Sequence, residues 1–184
     1  MTIQLLNDKR QPNQLAFRWV LAGVAITVLL CLLPYRHGLL WMLRQVSVLV
    51  SIALIGSYVS GLFKAAKLRR IDALRIEPMI WQQFKQLYPQ ISLSERRLIE
   101  QGFKDYLAIH VLERRAYAMP SHAVDALWHV LLEFPLQYRQ LCKHTLGREL
   151  QHQPYAAASA PSVAVQQQQL ASSWRMSCRL HGLN

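Results

Sequence analysis

Val20-Leu-Ala-Gly-Val-Ala-Ile-Thr-Val-Leu-Leu-Cys31-Leu-Leu33 is the stretch that decides the fold. It holds no Asp, Glu, Lys or Arg, and that uncharged run extends from Trp19 to Tyr35. With Phe17 and Arg18 at its start, the apolar segment covers 17–33. That is the short end of the roughly 17–25 residues a helix needs to cross a bilayer. A cleaved signal peptide would share this look, with Lys9, Arg10 and Arg18 as its basic flank. No small-x-small cleavage site follows, however, only Leu32-Leu33-Pro34-Tyr35-Arg36. Cys31 is preceded by Leu30, where a lipoprotein signal wants a small residue. The segment therefore reads as a retained span. Pro34 stops it, because proline cannot continue the helical hydrogen-bond ladder.

A second uncharged run covers Gln45 to Phe63. Gly38-Leu-Leu-Trp-Met-Leu43 extends it backward across Arg44, whose long side chain can reach the interface. Tyr35 and Trp41 suit the headgroup level, where amphipathic rings collect. Gly56 and Ser60, then Ser57 and Gly61, lie four apart on one face, a spacing that lets helices approach closely. A hairpin contact or a homo-oligomer through the Gly56/Ser60/Gly61 face is one reading. Ordinary small residues in a membrane helix are the other.

Two spans in 184 residues leave room for one domain of about 100 residues. Only 17% of the chain is charged, against roughly 25% in ordinary soluble domains. A plain soluble domain and a disordered chain are excluded, and three cysteines are too few for a disulfide-stapled mini-protein. Residues 1–76 carry ten basic and two acidic residues, whereas 77–184 carry eleven and eight. Lys9, Arg10 and Arg18 precede the first span, and Lys64, Lys67, Arg69, Arg70 and Arg75 follow the second. The short connection holds only Arg36 and Arg44. Positive residues stay on the cytoplasmic side, so both termini are expected there. The net charge of +11 is topogenic and lipid-facing before it is anything else. It does not mark a nucleic-acid surface: Glu95, Glu100 and Glu113 offset Arg96, Arg97, Arg114 and Arg115, and no basic stripe with aromatics emerges.

From Ile71 onward no sustained period-two alternation occurs, so the pattern is helical throughout. Glu77 to Tyr88 forms a first helix, ended by Pro89. Ser92-Leu-Ser-Glu95 is a capping box. It opens a helix to about Arg115 with Ile99, Phe103, Tyr106, Leu107, His110 and Val111 as the core stripe. Arg96, Arg97, Glu100 and Lys104 are expected on a solvated face. Ser121 caps a helix that is apolar almost all round, except for Asp125, His129 and Glu133 at i, i+4 and i+8. That narrow stripe either meets water or is satisfied internally. Pro135 begins the next helix, with Tyr138, Leu141 and Cys142 facing inward and Gly147 as the stop. A last helix runs from Val163 to about Leu180, with Leu170, Trp174 and Cys178 one turn apart.

The expected organisation is all-α: an N-terminal tail over 1–16 and a transmembrane helical hairpin over 17–63. A basic juxtamembrane linker follows over 64–76, then a small cytoplasmic helical bundle over 77–154, and finally a linker and C-terminal helix over 155–184.

Met119-Pro-Ser-His-Ala-Val-Asp125-Ala-Leu-Trp128-His129, then Tyr138, Cys142, Gly147-Arg148 and His152-Gln-Pro154, resembles the signature of the glycine-rich domain-containing protein-like family, most of all its bacterial members. The likeness covers about Tyr88 to Pro154 and, more loosely, Ser172 to Asn184. Leu141 stands where the pattern usually has an aromatic, and with seven glycines the chain lacks the glycine-rich tail. Relatives of that kind continue past the last helix, which leaves a longer natural chain open. The resemblance implies a small α-helical domain with no settled activity, and it supplies no catalytic or cofactor assignment. Taken with the two spans, the likeness to bacterial members leads to the expectation of an integral protein of a bacterial inner (plasma) membrane.

For chemistry, Asp125 and His129 form the best constellation, with Cys142 and His152 as residues the fold could bring near. An aspartate one turn before a histidine can orient the imidazole and fix its tautomer. A thiolate and a second imidazole could complete a zinc-type site at His129, Cys142 and His152. Their spacings match no zinc motif, and there is no Cys-x-x-Cys pair. The competing reading is structural, with Trp128 filling the core and Asp125–His129 bracing a neighbouring helix. No phosphate loop, Gly-x-Ser-x-Gly, His-Glu-x-x-His or dinucleotide fingerprint is present. The expected function is a membrane-anchored helical module, its partners the lipid bilayer and a protein at the membrane. A membrane-tethered metal- or ligand-binding domain, enzymatic or not, is the alternative.

Overall fold

The computed structural model describes residues 13–33, 38–113, 117–119, 121–150 and 162–181. Seven helices and no strand occur among them: α1 Gln14–Leu32, α2 Leu39–Asp72, α3 Pro78–Leu87, α4 Leu93–Leu112, α5 His122–Leu132, α6 Pro135–Thr145 and α7 Val163–Leu180. The chain is all-α, as the apolar runs and the absence of alternation require. It divides into two compact units on either side of Ala66 and Lys67.

In the N-terminal unit, Asn13 caps α1 by accepting from the backbone N–H of Leu15 and Ala16. No residue of α1 is buried, although the helix is apolar along its whole length. Both α1 and α2 are long and apolar enough to cross a membrane. They pair as an antiparallel hairpin. The Thr27 hydroxyl lies 2.8 Å from the Ser51 hydroxyl and donates to the Ser47 carbonyl at 3.1 Å, and the Phe17 and Tyr58 rings sit 5.7 Å apart. A Cβ on Gly23 would meet Leu54 at 3.1 Å, whereas one on Gly56 or Gly61 would meet nothing within 4 Å. The Gly56/Ser60/Gly61 face is therefore not the hairpin contact. Thr27, Ser47, Ser51 and Gly23 make it instead.

The stretch 64–76, read from sequence as a linker, is helical as far as Asp72. Lysine, arginine, alanine and leucine are all good helix formers, and no glycine or proline interrupts between Leu62 and Glu77. Lys64, Arg69, Arg70 and Asp72 are exposed, while Lys67 is half-buried. Leu68 and Ile71 are each about 1% exposed and belong to the core of the second unit, as does Ile76. The second unit thus begins before residue 77.

That unit is a helical bundle. α3 starts with Pro78 at its first turn and buries Ile80, Trp81 and Phe84. α4 opens on the full capping box, with Ser92 and Glu95 exchanging side-chain and backbone bonds. Those bonds hold the Glu95 carboxyl below its ordinary range. The expected core stripe of α4 is buried throughout. Lys104, expected on the solvated face, is buried as well. Its ammonium pairs with Glu100 at 3.0 Å and donates to the Asp72 carbonyl, so its stem packs while its charge stays matched. α4 packs on α5 and α7, and α5 on α3 and α6. A Cβ on Gly102 would meet Val124 at 2.8 Å, which shows how closely α4 approaches α5. Ser121 caps α5 through the Val124 N–H. α6 ends at Gly147, whose φ of 74° lies in the left-handed region. Its N–H and that of Leu146 both reach the Cys142 carbonyl, and Lys67 caps the Leu146 carbonyl.

α7 forms where expected but shows a different face. Ser173 and Leu180 are buried and Met176 is partly so, whereas Trp174 is 56% exposed and Leu170 also faces out. The anchor at position 173 is polar, its hydroxyl donating to the Ala118 carbonyl at 2.7 Å.

Candidate functional site

Trp128 stands at the centre of a row of rings. Tyr138 lies 6.3 Å to one side and Tyr106 5.3 Å to the other; His110 follows 4.5 Å beyond Tyr106, and Tyr117 is 5.7 Å from His110. These residues come from α4, α5, α6 and the segment after α4, so the row ties most of the bundle together. Its tyrosine hydroxyls are satisfied. The Tyr138 hydroxyl donates to the Leu150 carbonyl at 2.6 Å, that of Tyr106 to the Tyr117 carbonyl, and that of Tyr117 to the Glu113 carboxylate. His110 donates from Nδ1 to the Tyr106 carbonyl at 2.9 Å. Burial pushes its pKa down, with a smaller opposing push from that bond, and so favours the neutral ring. Burial likewise drives the Tyr138 phenol and the Cys142 thiol up. Cys142 is fully enclosed. A shielded thiol kept protonated is a packing group, not a nucleophile.

Asp125 and His129 share the outer face of α5. His129 Nε2 lies 3.5 Å from Asp125 Oδ2, with the imidazole 54% and the carboxylate 28% exposed. The polar stripe of this helix therefore meets water, and Glu133 is exposed too. His129 points out while Cys142 is enclosed. His152 lies outside the described residues. Among the described residues no three His, Cys, Asp or Glu side chains come together as a metal ion would need. The motif residues thus divide between core rings and thiol, and a surface carboxylate–imidazole pair.

Two features had no sequence signal. The first is a carboxylate–imidazole contact between helices: His181 Nε2, just past α7, donates to Asp105 Oδ2 at 2.6 Å, and Gln101 donates to the other oxygen at 2.8 Å. Asp105 is 8% exposed. The two residues are 76 positions apart, and only the tertiary fold brings them together. The second is an open apolar groove of about 390 Å³ between α4, the start of α5 and α7. Ile91, Leu98, Val124 and Trp174 line it, with Asp105 and Ser177 at its polar end. Leu98 is 71% exposed. Leucine and tryptophan side chains presented this way cost the monomer solubility and gain nothing until they are covered.

No curated protein matches the chain, and no solved structure does. A family model described as UCP032817-like matches residues 66–184. The match starts at Ala66, beside the division between the two units, and takes in Leu68, Ile71 and every helix of the bundle. With so much of its length matched, the chain belongs to the UCP032817-like family.

Proposed function

We propose that this protein is a two-span membrane protein whose helical domain is a protein-interaction module at the cytoplasmic face of a bacterial plasma membrane. The apolar groove carries the reading. Its lining is mostly aliphatic and aromatic, with Glu95, Asp105, Ser121 and Ser177 as polar members, and Trp174 and Leu98 offer large exposed apolar surface of the kind interfaces cover. Two exposed apolar helices support the anchor, and the placement of lysine and arginine on either side of them supports cytoplasmic termini. The likeness of the Asp125–His129 segment to glycine-rich domain-containing protein-like proteins agrees with a small helical domain.

A photo-crosslinking amino acid at position 98 or 174, in the full chain in its own membranes, should trap a discrete protein adduct. The same group at Arg139, exposed on α6 and outside the groove, should not. Equal labelling at all three positions, or none at 98 and 174, would refute the groove as the docking face. A reporter fused after Arg70 should behave as cytoplasmic and one fused near His37 as exported. The reverse pattern would overturn the orientation.

A further inference from the structure

We infer that the bundle carries a binding site for the phosphate-bearing headgroup of an anionic membrane lipid, in the pocket between the end of α2, the segment after it and α6. The proposal rests on the membrane-anchored reading above and names a partner for it. The pocket has a volume of about 640 Å³. Three cations from three different elements converge on it: Arg70 from α2, Arg75 from the following segment and Lys143 from α6, with His144 beside them. Among the described residues, Glu77 is the single carboxylate in its lining. Arg70 spends one donor on the His144 carbonyl, a long bond of 3.4 Å, and Arg75 makes a 3.9 Å ion pair with Glu100 while its side chain stays 86% exposed. Both arginines are exposed, and guanidinium matches phosphate oxygens in pairs.

The apolar lining decides between ligands of this charge. Leu74 and Leu141, both partly buried against the core, line the pocket together with the cations. Inorganic phosphate gains nothing from an apolar lining, whereas a glycerophospholipid has its glycerol and first methylenes next to the phosphate. The source of lipid is close along the chain, because six residues separate Phe63, the end of the uncharged run, from Arg70 in the same helix. Basic residues just inside a membrane span are drawn to anionic lipid. Here a built pocket would add choice among headgroups to that general attraction.

The test uses the full-length chain in a neutral detergent, titrated with phosphatidylglycerol and with phosphatidylcholine and read by native mass spectrometry. The wild-type chain should retain phosphatidylglycerol preferentially. Replacing Arg70, Arg75 and Lys143 together by glutamine should weaken that retention at least about tenfold, as expected for lost charge-assisted bonds, with the melting curve as the check on folding. A variant with the same charge loss elsewhere, Arg97→Gln, Arg139→Gln and Arg175→Gln, should keep it. Equal retention of both lipids by the wild type, or equal loss in both variants, would overturn the pocket. Full competition by millimolar inorganic phosphate would overturn the lipid as its ligand. Failure of the anchor itself is read separately: release of the chain from native membranes by alkaline carbonate would refute the spans whatever the detergent titration shows.

Discussion

Asp105→Ala should loosen α7 without unfolding the bundle. An isolated helix of 18 residues is marginal in water, so α7 depends on its docking contacts. Those contacts are sparse: Leu180 and Met176 supply the apolar part, Ser173 bonds to Ala118, and the imidazole of His181 bonds to Asp105 at 2.6 Å. A hydrogen bond to a charged group is worth about 1.5–3 kcal/mol net. The Asp105 side chain is only 11% exposed but that of His181 is 31% exposed, and water reaching the imidazole discounts the range to about 1–2 kcal/mol. Local opening of α7 should become cheaper by that amount, which accelerates hydrogen exchange of its amides about 5- to 30-fold. His181→Ala should do the same, and the double variant should add little more, because both substitutions remove one contact. Amides in α5, which is not part of this hydrogen bond, should keep their rates. The reasoning fails if exchange in α7 is unchanged, if α5 accelerates equally, or if the two single effects add in full.

Trp128→Ala should cost about 3–5 kcal/mol, as for other large core aromatics, since the ring is 2% exposed and links Tyr106 to Tyr138; thermal or denaturant melting checks this, and a variant that melts like the parent would place Trp128 outside the core. His110 should give the bundle an acid-sensitive step. Burial lowers its folded-state pKa below the ordinary value near 6.5, so the unfolded chain takes up the proton first. The contribution is then intact above about pH 6.5 and falls as pH drops below it, with a limiting slope of about 1.4 kcal/mol per pH unit for one proton. His110→Gln should flatten stability against pH over that window, and an unchanged slope would show that His110 does not set it. Asp125 and His129 should couple by only about 0.3–0.5 kcal/mol, the range of exposed i,i+4 pairs, and a double-mutant cycle giving several times that would mean the pair is buried by a partner.

Much of the fold could be read from the chain because local and global signals agree. Ser92 and Ser121 cap as the sequence implies, Pro135 opens a helix, and Gly147 ends one. What escaped the reading has physical causes. Lys104 looked solvated because a lysine usually is; its burial depends on Glu100 one turn earlier and on a carbonyl 32 residues away. The inward face of α7 escaped because its central anchor is Ser173, so no apolar stripe marks it. Asp105 and His181 carry no mutual spacing rule, and the groove exists only once three helices are assembled. Asp125 and His129 were correctly seen to share a face. Which way that face points was a tertiary fact, decided by Trp128 and Leu127 turning the opposite side of α5 into the core.

The end of α2 changes where the domain can be cut. Charge alone made 64–76 look like a tether, and a fragment over 77–184 would then be the natural soluble domain. In the structure Leu68, Ile71 and Ile76 lie in the core at 1%, 1% and 6% exposure. Lys67 caps the Leu146 carbonyl, and Lys104 leans on the Asp72 carbonyl. Burying an aliphatic side chain is worth about 1.5–3 kcal/mol, so removing three withdraws roughly 5–9 kcal/mol. A domain of this size has only about 5–15 kcal/mol in total. The fragment over 77–184 should therefore be unfolded or loosely packed, with poor dispersion in its amide spectrum, whereas one over 66–184 should melt cooperatively. If 77–184 unfolds at the same denaturant concentration as 66–184, the last turns of α2 are not part of the bundle core. If it collapses, the final turns of the helix that follows the second span are themselves structural, and position 77 lies inside the folding unit that the family match delimits.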